Sequence, residues 1–177
     1  IIVATSYATN AALYPLAYDP VKAITPVAQL HSGPFLVTLN NSVAANGIRE
    51  FIVLLRSRPG ALNFASSGIG GLQHLNGEMF KQMAGIELVH VPYKTGPAVV
   101  VDMLNGQVQI GWAIYATLAP FEKSGKTRIL GINAGKRFDK YPNIPTVTEQ
   151  IPGYEPPPTW ASYFGPAGMA PATVQRL

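Results

Sequence analysis

The sequence contains no cysteine, few acidic residues and no long apolar run, and these absences exclude several classes of protein. Without cysteine there are no disulfide bridges, zinc–thiolate sites or thiol nucleophiles. No apolar stretch approaches the ~18 residues that a membrane-spanning helix requires. The net charge of +4 comes from 9 acidic and 13 basic residues, and the basic residues form no run. Nucleic-acid-binding proteins usually carry a denser basic stripe, so we predict no nucleic-acid partner.

Apolar residues, glycine and proline are abundant instead. Of the 177 residues, 47% are hydrophobic and 12% are charged, which is typical of a well-packed globular protein. The 17 glycines and 16 prolines are typical of many short elements joined by tight turns. The mild positive charge suits a small anionic ligand, and an ordinary solvated surface explains it equally well.

The two ends of the sequence indicate an interior segment of a longer protein. The chain begins without methionine in a strand-like run at 1–4, and it shows no signal-peptide pattern there. It ends at 171–177 in a pattern typical of a helix that has only just begun. We therefore expect further residues on both sides of this segment.

Strand-like and helix-like segments alternate along the chain. Strands are predicted at 1–5, 34–39, 61–65, 86–91, 107–113, 127–133 and 160–164, and helices at 10–14, 47–58, 72–84, 97–104, 115–123 and 146–149. In the second helix, Ile48, Phe51 and Leu55 recur at helical spacing. The alternation predicts an α/β fold with a mostly parallel sheet covered by helices.

The most informative local feature is the glycine-rich turn 66–71, which lies between a predicted strand and a predicted helix. Gly68 and Gly70 let the backbone approach a ligand, and the free amides of the first helical turn point toward it. The positive end of the helix favours an anion, and the hydroxyls of Ser66 and Ser67 add donors. A tight connection without a ligand explains the pattern about as well.

Three enzymatic interpretations of this turn can be compared with the sequence. A phosphate-binding P-loop needs Gly-Lys-Ser/Thr, but Gly71 is followed by Leu-Gln. A dinucleotide-binding turn needs a third glycine where Gln73 stands. A serine-dependent, esterase-like hydrolase would pair Ser66 or Ser67 with His74, but the Gly-x-Ser-x-Gly pattern is absent and no acid is placed to orient the histidine. The hydrolase remains the leading enzymatic alternative, and we favour a structural histidine at the pocket edge.

Neither a metal nor a cofactor is predicted. The three histidines, His31, His74 and His90, do not have the spacing of metal ligands, and no paired carboxylates accompany them. The residues alone therefore leave two interpretations of the turn 66–71, an anion-binding site without a reactive side chain and a tight connection without a ligand.

A series of short motifs runs through nearly the whole chain. They are Asn10-Ala-Ala-Leu-Tyr14 with Tyr18-Asp19-Pro20, Ser66-Ser67-Gly68-x-Gly70 with His74-Leu75 and Glu78, His90-Val-Pro-Tyr-Lys94, Asp102-Met-Leu-Asn-Gly106-Gln-Val, Ser124-Gly125-Lys126, Lys136-Arg137, Pro142-x-x-Pro145-Thr146-Val-x-Glu149 and Gly165-Pro166-Ala167-Gly168. Each motif is weakly specific alone. In this order they closely resemble the tripartite tricarboxylate transporter receptors, also called Bug or TctC-type binding proteins.

The resemblance implies an α/β, periplasmic-binding-protein-like (type II) fold with two lobes, one complete in this chain and the other partial. Residues 34–125 would form the second lobe, and residues 1–33 and 126–177 would belong to the first. It also implies a periplasmic receptor without enzymatic activity. Such a receptor binds a small carboxylate, either a di- or tricarboxylate or an aromatic acid, between its lobes and delivers it to membrane transporter subunits.

The resemblance also assigns ligand-binding roles to the glycine-rich turn. Carried over by position, Ser66, Ser67 and Gly70 would bind one carboxylate of the ligand. Gly68 lies in the same turn, and His74 would stand at the pocket edge. This assignment agrees with the prediction of an uncharged anion site from the residues themselves.

Four further residues complete the predicted site. Ser6 and Asn10, after the first strand, would contact the ligand from the other lobe, while Trp112 and Tyr115, at a strand end, would line the pocket and select ligand length. Family members also have a preceding strand and loop and a longer C-terminal helix, which this sequence does not contain. Exposed apolar surface in the first lobe is therefore expected to favour a homo-oligomer, domain swapping or instability.

Overall fold

The protein is described here by a computed structural model covering residues 2–177, in which the chain forms two compact units. One unit combines the chain up to Gly33 with Pro158–Leu177, and the other is Pro34–Pro157. The second division lies after Pro157 and not at residue 126, where the sequence analysis placed it. The reason is a strand at 127–133 that is hydrogen-bonded within the larger unit.

The elements alternate along the chain much as the patterns predict. The strands are β1 (Ile2–Ala4), β2 (Ile24–Ser32), β3 (Phe35–Asn40), β4 (Asn63–Ser66), β5 (Val89–Pro92), β6 (Ile110–Ile114), β7 (Thr127–Asn133) and β8 (Trp160–Pro166). The α-helices are α1 (Ser6–Leu13), α2 (Ile48–Ser57), α3 (Leu72–Ala84), α4 (Gly96–Leu104), α5 (Tyr115–Leu118), α6 (Val147–Gln150) and α7 (Pro171–Arg176), with a 3₁₀ helix at Ala119–Ser124. Among these described helices, none has the length and apolar character needed to cross a membrane.

The sheet of the larger unit has the strand order β5-β4-β6-β3-β7. Strand β4 is parallel to β5 and β6, whereas β3 is antiparallel to β6 and β7. Four strands therefore point in one direction and β3 points in the other, so the predicted mostly parallel sheet contains one reversed strand. The units β4–α3–β5 and β5–α4–β6 follow the parallel crossover rule, because each helix returns the chain to the same end of the sheet.

The core of the larger unit lies on both faces of this sheet. Successive residues of a strand pack on opposite faces of the sheet. Val37 of β3 and Trp112 of β6 lie in the cluster on one face, whereas their neighbours Leu36 and Ala113 lie in the cluster on the other. Helices α2 and α3 cover the first face, with Phe51 and Phe80 fully buried. Burial on both faces explains why these strands read as continuous apolar runs in the sequence.

The smaller unit is an antiparallel sheet of order β1-β8-β2 with α1 and α7 in the adjoining chain. Strand β2 was missed by the sequence analysis because most of its residues are exposed and Pro26 interrupts it, so it shows no apolar alternation. Large apolar side chains are exposed in the described part of this unit, including Val21 at 81% and Leu30 at 47%. The predicted homo-oligomer stays a prediction.

Candidate functional site

The glycine-rich turn lies at the carboxyl end of β4, which ends at Ser66. Its conformation requires glycine, because Gly68 has a φ of +139° and Gly70 has a φ of +77°. The neighbouring strands β5 and β6 end at the same edge, at Pro92 and Ile114. The carboxyl edge of parallel strands is where open α/β sheets bind their ligands.

Four amides of this turn already have hydrogen-bond partners within the turn or the start of α3. The pairs are Ser67 N–H with Gln73 Oε1 (2.7 Å), Gly68 N–H with Ser66 Oγ (3.2 Å), Gly70 N–H with His74 Nδ1 (3.2 Å) and Gly71 N–H with Gly68 O (3.4 Å). The structure therefore differs from the expectation that the Gly70 amide is open to a ligand. Side chains from the first turn of α3 fold back onto the turn, a tertiary contact that residue order does not reveal.

The donors that remain open belong to the first turn of α3. Its N-cap residue, Gly71, provides no side-chain cap, and within the described chain the N–H groups of Leu72, Gln73 and His74 have no hydrogen-bond partner. Ser67 is exposed, and its hydroxyl also lacks a partner among the described residues. Unpaired amides at a helix N-terminus attract negative charge, so these groups together form a candidate site for one carboxylate.

Ser66 is fully buried, and its hydroxyl is engaged by the protein itself. The Oγ atom donates to the carbonyl oxygen of Gly68 at 3.0 Å and lies 2.7 Å from Nε2 of His90. This histidine, and not His74, is the partner of Ser66, because β5 pairs alongside β4 in the sheet. A buried hydroxyl with these bonds is not presented at the surface, and the direct contact of Ser66 with the ligand stays a prediction.

His90 is a site residue that the sequence analysis did not identify. It is separated from Ser66 by 24 positions, and the only signal that could have placed it there is the parallel pairing of two adjacent predicted strands. Its ring stacks on Phe64 with the ring centres 4.7 Å apart, and its centre lies 4.2 Å from that of the His74 ring. The pair Ser66–His90 does not resemble a hydrolase centre, since the hydroxyl is buried and no carboxylate within the described chain bonds the histidine.

The side chain of Trp112 lies in the core of the larger unit, and its role in lining a ligand pocket stays a prediction. Its side chain is fully buried and packs edge-on against two aromatic rings, with ring centres 5.9 Å from that of Phe64 and 5.8 Å from that of Phe80. The alternation of β6 turns this side chain into the core under α3. The backbone of Trp112 still contributes, because its carbonyl oxygen accepts a 2.6 Å hydrogen bond from Nε2 of Gln73 and so ties α3 to β6.

Tyr115 follows the end of β6 and is partly exposed, in keeping with its predicted position at a strand end. Its ring packs against Phe138 at 6.2 Å and Tyr141 at 5.9 Å, and the ammonium group of Lys140 lies 4.7 Å from its centre. These residues form an aromatic cluster at the carboxyl edge of the sheet. Its role in selecting a ligand stays a prediction.

Ser6 and Asn10 belong to the smaller unit, where α1 begins at Ser6 and not near residue 10. They are four positions apart and therefore share one face of α1, and both are partly exposed. Their contact with a ligand stays a prediction. In the described chain, no group of three or more histidine or carboxylate side chains could hold a metal ion.

Comparison with known proteins adds independent information on ancestry. The family model described as the tripartite tricarboxylate transporter family receptor matches residues 1–177. A UPF0065 protein from Bordetella bronchiseptica is 32% identical in an alignment 178 residues long, which covers 97% of this chain and 52% of that protein. The chain spans about half the length of the curated relatives it matches.

Solved structures resemble both units. A Rhodopseudomonas palustris protein with adipate has a TM-score of 0.84 and 29% identity, over 92% of this chain and 54% of that one. MatC from the same organism with bound malate has a TM-score of 0.85 and 26% identity, over 98% and 60% of the two chains. The periplasmic binding protein BugD, with a TM-score of 0.88 and 24% identity over 99% and 59%, shows the same fold.

These findings confirm the α/β periplasmic-binding-protein fold and the resemblance on which it was predicted. The three solved structures share their fold with 92–99% of this chain. The chain belongs to the tripartite tricarboxylate transporter receptor family, and it covers 54–60% of the length of each of these three solved structures.

Proposed function

We propose that the chain is the solute-binding part of a periplasmic receptor that captures a small carboxylate and delivers it to the membrane subunits of a tripartite tricarboxylate transporter. One observation carries this proposal: the first turn of α3 presents unpartnered N–H groups of Leu72, Gln73 and His74 beside the exposed hydroxyl of Ser67. The adipate and malate in two solved relatives support a ligand that carries carboxylate groups.

The chemistry of the turn favours reversible binding. Its donors are backbone amides and a hydroxyl, and the residues 66–72 include no charged side chain. Hydrogen bonds from such neutral donors to a carboxylate are strong enough to hold a solute, and they leave no buried charge unpaired once it departs. Capture and release without covalent change is what a receptor requires.

The aromatic cluster of Tyr115, Phe138 and Tyr141 suggests how the rest of the ligand is selected. It lies at the same edge of the sheet as the turn and offers partly exposed apolar surface. We infer that it contacts the carbon chain or ring of the acid. A di- or tricarboxylate and an aromatic acid both meet these requirements.

Thermal denaturation with a panel of acids, including malate, adipate and benzoate, tests the proposal. A ligand at about 100 times its Kd stabilises the folded protein by about 2.7 kcal/mol. For a chain of this size that corresponds to a rise in Tm of roughly 5–10 °C. The absence of any rise across the panel would contradict the proposal.

A matched pair of glycine variants locates the binding site. In Gly70→Val, the φ of +77° becomes unfavourable for a β-branched residue, so the turn rearranges and the ligand-induced shift in Tm is lost. Gly60 has a similar φ of +70°, an added Cβ there has no atom within 4 Å, and the residue lies near the opposite end of β4. Gly60→Val is therefore expected to lower Tm and keep the ligand-induced shift. Equal ligand responses in the two variants would place the site elsewhere.

A further inference from the structure

Two histidine rings lie side by side next to the glycine-rich turn. His74, on α3, and His90, on β5, have ring centres 4.2 Å apart at an interplanar angle of 32°. The ring of Phe64 stacks on His90 at 4.7 Å, so the pair rests on the buried core of the larger unit. Anion binding by the amides at the start of α3 does not by itself require either imidazole, so the two side chains are free to serve another role.

Each imidazole holds one point of the turn. Nδ1 of His74 accepts the N–H of Gly70 at 3.2 Å. Nε2 of His90 lies 2.7 Å from Oγ of Ser66, and that oxygen accepts the N–H of Gly68 at 3.2 Å. The two glycines with positive φ are therefore both held, directly or through Ser66, by a histidine.

Only the neutral form of His74 can make its contact. The Gly70 N–H can only donate, so Nδ1 must carry a lone pair, and the proton of the neutral ring lies on Nε2. A second proton, added at Nδ1, would place two donors face to face. Protonation of His74 therefore removes the hydrogen bond that holds Gly70.

Charged groups lie beside both imidazoles. Oε1 of Glu78 lies 3.9 Å from Nε2 of His74, and Oε2 of the same carboxylate pairs with Nζ of Lys81 at 2.9 Å. Burial lowers the pKa of His90 below 6.5, and the charge on His74 lowers it further, with Lys81 acting in the same sense and Glu78 opposing. Because the unfolded chain takes up the His90 proton at a higher pH than the folded chain, protonation of His90 lowers the stability of the folded protein.

We propose that His74 is a positioning residue whose neutral imidazole keeps the 66–71 turn in its binding conformation, so that protonation releases the turn and weakens carboxylate binding. His90 supports the same conformation through Ser66. The inference rests on the proposed function, because it assigns to the imidazole the control of that same site. It makes the receptor release its solute more readily in acid.

Two variants of His74 separate the hydrogen bond from the charge. His74→Asn places a non-titrating oxygen near the position of Nδ1, so it is expected to restore the bond to Gly70 and to bind malate or adipate with little pH dependence. His74→Leu removes the acceptor and is expected to weaken binding roughly tenfold at about pH 7.5. His31→Asn serves as the control for loss of a titrating group, because His31 is exposed and belongs to the smaller unit.

Calorimetry at about pH 7.5 and about pH 5.5 measures the effect, and comparison of variants at the same pH cancels protonation of the ligand. The wild type and His31→Asn should lose roughly tenfold more affinity on acidification than His74→Asn. Unchanged affinity in His74→Leu, or an affinity that rises in acid relative to His74→Asn, would overturn the inference while leaving the proposed function intact.

A ligand-free readout keeps the inference separable from the proposed function. The amide resonance of Gly70 should shift through the histidine titration in the wild type and shift much less in His74→Asn, in which His90 is the remaining histidine beside the turn. If no acid on the panel binds at neutral pH, the proposed function fails, and the Gly70 resonance still decides the role of His74. A Gly70 resonance that does not move with pH in the wild type would refute that role.

Discussion

Gly77→Ala is the substitution whose outcome depends most directly on how α3 packs against the sheet. Gly77 is buried, and a Cβ atom placed on it would meet Cε2 of Phe64 first and would lie 2.6 Å from Cδ2 and 2.8 Å from Cζ of that ring. Ordinary contacts between carbon atoms are about 3.5–4.0 Å, so the helix or the ring must move by more than about 1 Å. The ring has no free space, because Phe64 is fully buried between His90 at 4.7 Å and Trp112 at 5.9 Å.

Two effects of opposite sign decide the magnitude. Forcing an extra methyl group into a packed core costs about 1–3 kcal/mol. Replacing glycine by alanine inside a helix gains about 0.5–1 kcal/mol. Packing outweighs helix propensity at Gly77, and we expect a net loss of about 1–2 kcal/mol in the free energy of unfolding.

Urea denaturation followed by far-UV circular dichroism measures this loss. Gly96→Ala provides the matched control, because Gly96 begins α4 with no atom within 4 Å of its added Cβ. This control should be unchanged or slightly more stable. If Gly77→Ala were as stable as the wild type or more stable, helix propensity would dominate and the close packing of α3 on Phe64 would be refuted.

Two further predictions concern the polar contacts of the larger unit. Tyr154→Phe removes the hydroxyl that donates at 2.7 Å to Oδ1 of buried Asn133. The unsatisfied oxygen should lower the free energy of unfolding by about 1–3 kcal/mol in urea denaturation, and a change below about 0.5 kcal/mol would contradict this. The guanidinium of Arg137, with the amide of Thr146, lowers the pKa of Glu149 from 4.5 to about 2. As the pH falls, the Glu149 carboxylate of the unfolded chain is protonated before that of the folded chain, so the wild type should lose stability between pH 4.5 and about 2. Glu149→Gln should lack this loss when the free energy of unfolding is measured across the same pH range. If the stability of the two proteins fell in parallel, the pairing of Arg137 with Glu149 would be refuted.

Much of the local structure followed from residue patterns. The apolar run at 34–39 and the helical spacing of Ile48, Phe51 and Leu55 identified β3 and α2, because burial on one or two faces leaves a periodic trace in a short window. The helix predicted at 146–149 is α6, which begins with a capping box formed by Thr146 and Glu149. The family could be recognised because its motifs are short, local and ordered along the chain.

The details of the site depended on contacts between distant segments. The pairing of Ser66 with His90 follows from the register of β4 on β5, and the burial of Trp112 follows from which face of β6 lies under α3. Strand β2, whose residues are all exposed or only partly buried, left no pattern to detect.

By itself the sequence determined the chemistry available to this protein, an uncharged glycine-rich turn ahead of a helix with no thiol or metal ligand set nearby. Only the tertiary structure decided which donors stay open, because Gln73 and His74 fold back onto the turn and occupy two of its amides. Hydrogen-bond donors are local properties of the chain, but their availability depends on every neighbour that the fold brings within about 3 Å.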